Sequence, residues 1–239
     1  MHGLTATPDE VRPLGDALST AGFRCHAVRL PGHATTVADL ATVRRHAWLA
    51  TVEDAVGRMA ADTGEVALAG VSLGALLSLA VAASGRFPVR ALVLLGTPLH
   101  LANERATWLR FLAWMPGVAG PNRVLPKRHG RDILDEQARA ASRAYDAMPV
   151  AAVAELLRLR AKVKRALHRV TMPTLVLHGR HDRTAPVANV ETLQRLLPGR
   201  PLEVAVFERS AHVLTEDGER DAVAARVVEF LSRIESLPR

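Results

Sequence analysis

Residues 65–84, EVALAGVSLGALLSLAVAAS, join an apolar lead (Val66, Ala67, Leu68, Ala69) to a segment rich in Leu and Ala (Leu73 to Ala83) through Gly70-Val71-Ser72-Leu73-Gly74. The lead reads as a buried strand and the segment after it as a packed helix. G-x-S-x-G at such a junction is a bend so sharp that its serine is held in a strained backbone conformation with the hydroxyl exposed. Gly70 and Gly74 suit it because a Cβ at either position would collide where strand and helix pack around the turn. The pentapeptide alone also fits a Gly-rich turn with a surface serine. Its flanks and its partners decide between the two.

A serine nucleophile needs a base to take its proton and an acid to orient that base. On sheet-based scaffolds these follow in the order Ser, Asp, His. Downstream, MPTLVLHGRHD supplies an apolar strand over 173–178, a turn at Gly179 and then Asp182. Further on, PLEVAVFERSAHVLTED supplies a strand over 202–207 and a loop bearing His212. Both residues fall just past the carboxyl end of a strand, where open α/β sheets place their sites. The plainer readings are a helix cap or surface turn for Asp182 and a solvated loop histidine for His212. Type, order and position together favour Ser72, Asp182 and His212 as nucleophile, acid and base. The N–H of Leu73 opens the helix after the bend, so it points without a helical partner toward the group Ser72 attacks. His178, His181, Asp182 and His212 could also be drawn as a metal set, but no pair has the spacing of H-E-x-x-H. The expectation is no metal and no cofactor.

The rest of the chain alternates in the same manner. Residues 8–21 read as a helix ended by Gly22, residues 23–28 as a short strand, and residues 46–63 as a helix carrying Trp48, Leu49, Val52, Val56 and Met59. A strand follows over 89–95. From His100 to Val170 the pattern turns helical with no convincing strand, and it ends in a helix over 149–168. Alternation resumes with the strand over 173–178, a helix over 185–197, the strand over 202–207 and a helix over 218–235. An α/β core, residues 1–98 and 171–239, interrupted by residues 99–170, reads as a mostly parallel sheet with flanking helices and an inserted helical cap. Trp108, Phe111, Leu112, Trp114 and Met115 lie in that insertion, in a chain with only 4% aromatic residues. They either pack the cap onto the body or line an apolar cleft for an acyl chain or alcohol group.

The net charge of +7 raises the question of nucleic acid. Only three of the 31 basic residues are Lys, however, and Arg is scattered along the chain, densest between Arg158 and Arg169 among Leu and Ala. That spacing suits an amphipathic helix, so no nucleic-acid partner is expected; an acidic substrate or anionic surface fits better. The single Cys25 excludes an intrachain disulfide and reads as a buried, inert thiol in FRCHAV. No apolar run approaches the ~20 residues of a membrane span, and no leader is visible. No stable membrane insertion is expected, and the compartment read from this is cytoplasmic.

His2-Gly3-Leu4-Thr5, Leu30-Pro31-Gly32-His33, Gly70 to Gly74, Gly179-Arg180-His181-Asp182 and Ser210-Ala211-His212 together resemble an α/β-hydrolase, and more narrowly the bacterial carboxylesterase and monoacylglycerol lipase family. The resemblance spans almost the whole chain and is weakest in the cap. It implies Ser72 as nucleophile, Asp182 as acid, His212 as base, and the backbone N–H groups of Leu73 and Leu4 as oxyanion donors. Leu4 rests on the likeness alone, and His2 is implied as a brace for its loop. The implied activity is hydrolysis of a small acyl ester, of short to medium chain length or a monoacylglycerol. The same fold could also serve as a ligand-binding protein without turnover. Members of that family carry a central strand just before His-Gly, whereas here His-Gly begins at residue 2. The expectations are a sheet lacking its N-terminal strands and a start that is not the natural one. Ala6 stands where such loops often have Gly, which implies a slightly stiffer turn.

Overall fold

A computed structural model describes residues 1–102, 123–127, 131–197 and 201–236 of the 239-residue chain. After a 3₁₀ turn, Pro8–Val11, come α1 (Arg12–Thr20), α2 (Val37–Thr42), α3 (Arg45–Thr63), β1 (Val66–Val71), α4 (Leu73–Ala82) and β2 (Val89–Leu95). The chain continues through β3 (Val124–Pro126), α5 (Glu136–Ala141), β4 (Ala147–Pro149), α6 (Val150–Ala166), β5 (Thr174–Gly179), α7 (Asn189–Leu196), β6 (Leu202–Phe207) and α8 (Arg220–Glu235). Trp108, Phe111, Leu112, Trp114 and Met115 lie outside the described residues.

β1, β2, β5 and β6 form one sheet in the order β1-β2-β5-β6, every neighbouring pair parallel. Side chains alternate across a strand, and both faces are used. On one face Val71, Ala91, Val93, Leu95, Leu175 and Leu177 pack with Leu14 and Leu18 of α1 and with Val223, Val227 and Phe230 of α8. On the other, Leu68, Leu92, Leu94 and Val176 pack with α3, α4, α6 and α7. Two buried faces explain why these strands read as unbroken apolar runs. α6, within residues 99–170, packs against α2, α3 and α4, with Val153, Leu156, Leu157, Leu159 and Val163 in the shared core.

Register brings the working ends together. Val71 lies opposite Leu95, Leu95 opposite Leu177, and Gly179 opposite Phe207, so the loops after β1, β2, β5 and β6 leave from one edge.

Three expectations need correction. Residues 23–28 form no strand, and Arg24 to Ala27 are exposed. A strand exists only where a neighbour takes its backbone bonds; among the described residues, the free side of β1 is met instead by Met1, whose N-terminus donates to Ala69 O at 2.8 Å and whose carbonyl accepts from Val71 N–H at 3.0 Å. Cys25 is accordingly exposed rather than buried. Between residues 100 and 170, β3 and β4 pair antiparallel where the pattern showed no strand.

Candidate active site

The bend after β1 is as tight as its glycines require. A Cβ on Gly70 would fall 2.2 Å from the Gly74 carbonyl carbon, and one on Gly74 would fall 2.3 Å from Met1 O. Ser72 sits between them at φ 53°, ψ −109°, a left-handed conformation for a residue with a Cβ. Such strain costs about 1–3 kcal/mol and persists only where packing enforces it. Here the enforcement is visible: Ser72 N–H donates to Leu95 O at 2.9 Å, and α4 behind it is buried from Leu73 through Leu79. The Leu73 N–H, first in that helix, has no hydrogen-bond partner among the described residues.

Asp182 and His212 meet across the ends of β5 and β6. His212 Nδ1 donates to Asp182 Oδ2 at 2.7 Å, with both residues buried. A carboxylate only accepts, so the proton sits on Nδ1 and Nε2 is left as the basic nitrogen. Asp182 Oδ1 takes the N–H groups of Thr184 at 2.9 Å and Ala185 at 2.7 Å. Burial opposes charge on both partners, but their mutual attraction and hydrogen bond outweigh it. Asp182 is held well below the usual carboxylate range and His212 above the usual imidazole range. The His212 ring lies over Gly96, where a Cβ would come within 3.1 Å of Nδ1. Gly96 follows the residue whose carbonyl holds Ser72, so one strand end separates the hydroxyl from the imidazole. Neither Ser72 Oγ nor His212 Nε2 forms a hydrogen bond with a described residue.

The His2-Gly3 turn lies beside the serine: a Cβ on Gly3 would be 3.5 Å from Ser72 Cβ. Leu30 N–H donates to His2 Nε2 at 3.3 Å, so Nδ1 carries the proton and donates to Gly3 O at 3.0 Å. Burial, then the neighbouring His33, pushes His2 down to about 3, which keeps it neutral. Ala6 N–H closes the turn onto Gly3 O at 3.3 Å, and Thr5 takes a positive φ of 69°. The Leu4 N–H, like that of Leu73, has no partner among the described residues.

A family model described as serine aminopeptidase, S33 (Hydrolase_4) matches residues 1–219. The chain belongs to this family. It is an α/β-hydrolase and an enzyme of the serine-hydrolase kind. Over 236 residues it is 27% identical to a carboxylesterase of Bacillus subtilis (strain 168), covering 98% of this chain and 92% of the relative. It is 28% identical over 238 residues to the thermostable monoacylglycerol lipase of Bacillus sp. (strain H-257), covering 98% and 89%. A solved structure of a metagenome-derived lipolytic enzyme superposes with a TM-score of 0.87 at 26% identity, covering 97% of this chain and 91% of that one.

The motif reading weighed His178 only as a metal ligand and passed over Asp132 and Asp217, yet all three organise this hydrolase's site. His178, at the end of β5, reaches Asp182 Oδ2 at 3.0 Å through Nε2, which also lies 2.7 Å from Ala185 O. Only a protonated Nε2 satisfies both acceptors, so His178 is a second donor to the acid. Among the described residues, no three His, Cys, Asp or Glu side chains are grouped to hold a metal. Asp132 ties the two loops together. Its carbonyl accepts from His212 N–H at 3.1 Å and Val213 N–H at 3.2 Å, while its carboxylate takes Arg183 N–H at 3.0 Å and Thr184 Oγ1 at 2.8 Å. Asp217, fully buried, collects the N–H groups of Ala211, Leu134, Asp135 and Gly218. In sequence, acids near a Gly read as turn residues, and nothing local marks them as clamps.

Among the described residues, no helix is long and apolar enough to cross a membrane.

Proposed function

We propose that this hydrolase cleaves carboxylic esters of short- to medium-chain acyl groups or monoacylglycerols, with Ser72 as nucleophile, His212 as base and Asp182 as acid. The observation that carries the reading is the buried His212–Asp182 hydrogen bond at 2.7 Å, which leaves Nε2 without a partner among the described residues, in a chain whose Ser72 sits in a strained elbow. The relatives named as carboxylesterase and monoacylglycerol lipase support the substrate class. Ser72 Oγ bonds to the ester carbonyl carbon as its proton passes to His212 Nε2, and Asp182 stabilises the imidazolium. The carbonyl oxygen takes the negative charge and is met by the N–H groups of Leu73 and Leu4, which have no partner among the described residues. The C–O bond then breaks, and His212 gives its proton to the leaving alcohol. Water, deprotonated by His212 in turn, releases the acid from Ser72.

The absence of a Ser72–His212 hydrogen bond favours a second reading, a ligand-binding protein that does not turn over. One experiment separates them. A fluorophosphonate probe should label Ser72, and a series of p-nitrophenyl esters of increasing chain length should be hydrolysed by the wild type and not by Ser72→Ala. Absence of labelling, or undiminished turnover by Ser72→Ala, refutes the esterase reading.

A further inference from the structure

Glu10 is a buried carboxylate beside the nucleophile that the proposed mechanism leaves unused. It lies on the 3₁₀ turn Pro8–Val11 with 7% of its surface exposed, and its Oε1 accepts the Gly3 N–H at 2.6 Å. A Cβ on Gly3 would lie 3.3 Å from that oxygen and 3.5 Å from Ser72 Cβ. Carboxylate, turn and nucleophile therefore stand in consecutive van der Waals layers. Gly3 is held from both sides, its carbonyl by His2 Nδ1–H and its N–H by Glu10. The next N–H along the chain is that of Leu4, assigned above to the oxyanion.

We propose that Glu10 is a positioning residue of the site: its carboxylate fixes the turn bearing the Leu4 N–H, and its charge adds, after those of Asp182 and Asp132, to the field at His212. The oxyanion part of this rests on the esterase reading; the part concerning His212 does not.

The surroundings of the carboxylate are mixed in sign. The His212 imidazole and the Lys127 ammonium face it as cations, Glu216 faces it as an anion, and the Met1 amino group, which burial lowers to about 6, also acts on it. Lys127 also faces Arg131, Asp146 and Glu216. Glu216 faces Arg131, Asp9 and Lys127 and accepts from Ser142. His212 faces Asp182 and Asp132 as well as Glu10. Burial raises the Glu10 carboxyl to about 7, against the pull of the Gly3 N–H and of His212. When ionised, Glu10 grips Gly3 N–H with a charge-assisted bond and adds to Asp182 in favouring imidazolium, which helps His212 accept the serine proton. The same charge opposes the oxyanion, so its ionisation trades one step against the other.

The test follows the His212 imidazole protons by NMR across pH, alongside kcat and KM for p-nitrophenyl butyrate, in wild type, Glu10→Gln, Glu10→Asp and Glu10→Ala. In wild type the His212 resonances should show a second inflection near the Glu10 titration, readable without any variant. Glu10→Gln keeps an acceptor for Gly3 N–H and removes the charge. It should move the His212 titration, and with it the acid limb of kcat/KM, down by roughly half to one pH unit. Glu10→Asp should restore the wild-type titration. Glu10→Ala, which frees the turn, should lower kcat by roughly 10- to 100-fold with KM nearly unchanged. A wild-type His212 curve with one inflection, or superimposable curves for wild type and Glu10→Gln, overturns the proposal. Failure of the esterase reading shows differently, as turnover that survives Ser72→Ala while the His212 titration still responds to Glu10.

Discussion

Gly179 joins the stability of this sheet to the geometry of its site, and its replacement by Ala measures the coupling. It ends β5 three residues before Asp182, and a Cβ there would fall 2.1 Å from Ala211 O and 2.5 Å from Ser210 O. Both obstacles are backbone, and both immediately precede His212. No side-chain rotation relieves the clash, so the loop must retreat by roughly 1 Å, a displacement that costs about 10²-fold in rate where reacting groups must be aligned. The overpacking itself should cost about 1–3 kcal/mol. At roughly 2–4 °C per kcal/mol for a chain of this size, the melting midpoint should fall by a few degrees to about 12 °C. Because the Asp182–His212 bond at 2.7 Å spans the strained gap, the loss should appear in kcat more than in KM. The assay is steady-state hydrolysis of a p-nitrophenyl ester, well below the melting point, paired with calorimetry. Gly15→Ala serves as the control: no atom lies within 4 Å of a Cβ there, mid-way along α1, so it should gain roughly 0.5–1 kcal/mol with unchanged kinetics. A Gly179→Ala protein with kcat within twofold of wild type and a lowered midpoint would show that the loop yields without moving His212. The reasoning would then be wrong.

Asp182→Asn keeps the shape of the acid but permits the other imidazole tautomer; ester turnover should fall by roughly 10⁴-fold with little change in melting midpoint, and a loss under tenfold would remove Asp182 from its assigned role. Asp217→Ala strands the N–H groups of Ala211, Leu134, Asp135 and Gly218, and chemical denaturation should show a loss of about 3 kcal/mol, at the high end for one site. Glu155 is buried between α3 and α6, where burial opposes its charge but the Arg45 N–H and the Arg45 and Arg158 guanidinium groups outweigh it and hold its carboxyl below the ordinary range. Its stabilisation is therefore whole above the usual glutamate range and is lost as pH falls from that range through the lower pKa of the folded protein; Glu155→Gln should flatten the acid arm of a stability–pH curve, and an unchanged arm would refute the assignment.

The features legible in the sequence are those whose physics is local. Gly70 is demanded by contacts within the bend itself, and β1, β2 and β5 announce themselves because burial on both faces requires a largely apolar run, while β6, half-buried at the sheet edge, shows as an apolar strand broken by Glu203. Residues 23–28, FRCHAV, alternate apolar and polar as a half-buried strand would and yet form no strand, because pairing depends on a neighbouring edge that no propensity encodes. β3 and β4, three residues each, are shorter than any period that could reveal them. The residues that hold the site in place were the least visible. Glu10 reaches back seven residues to Gly3, Asp132 takes N–H groups about 50 and 80 residues away, and Asp217 clasps segments 6 and 83 residues distant. Each uses a carboxylate or carbonyl on backbone N–H groups of other segments, so the identity of the partner residue is irrelevant to the bond and leaves no trace in the sequence. The proposed reactive side chains lie in motifs that the chain spells out locally, while the clamps around them become visible only once the strands have set the loops side by side.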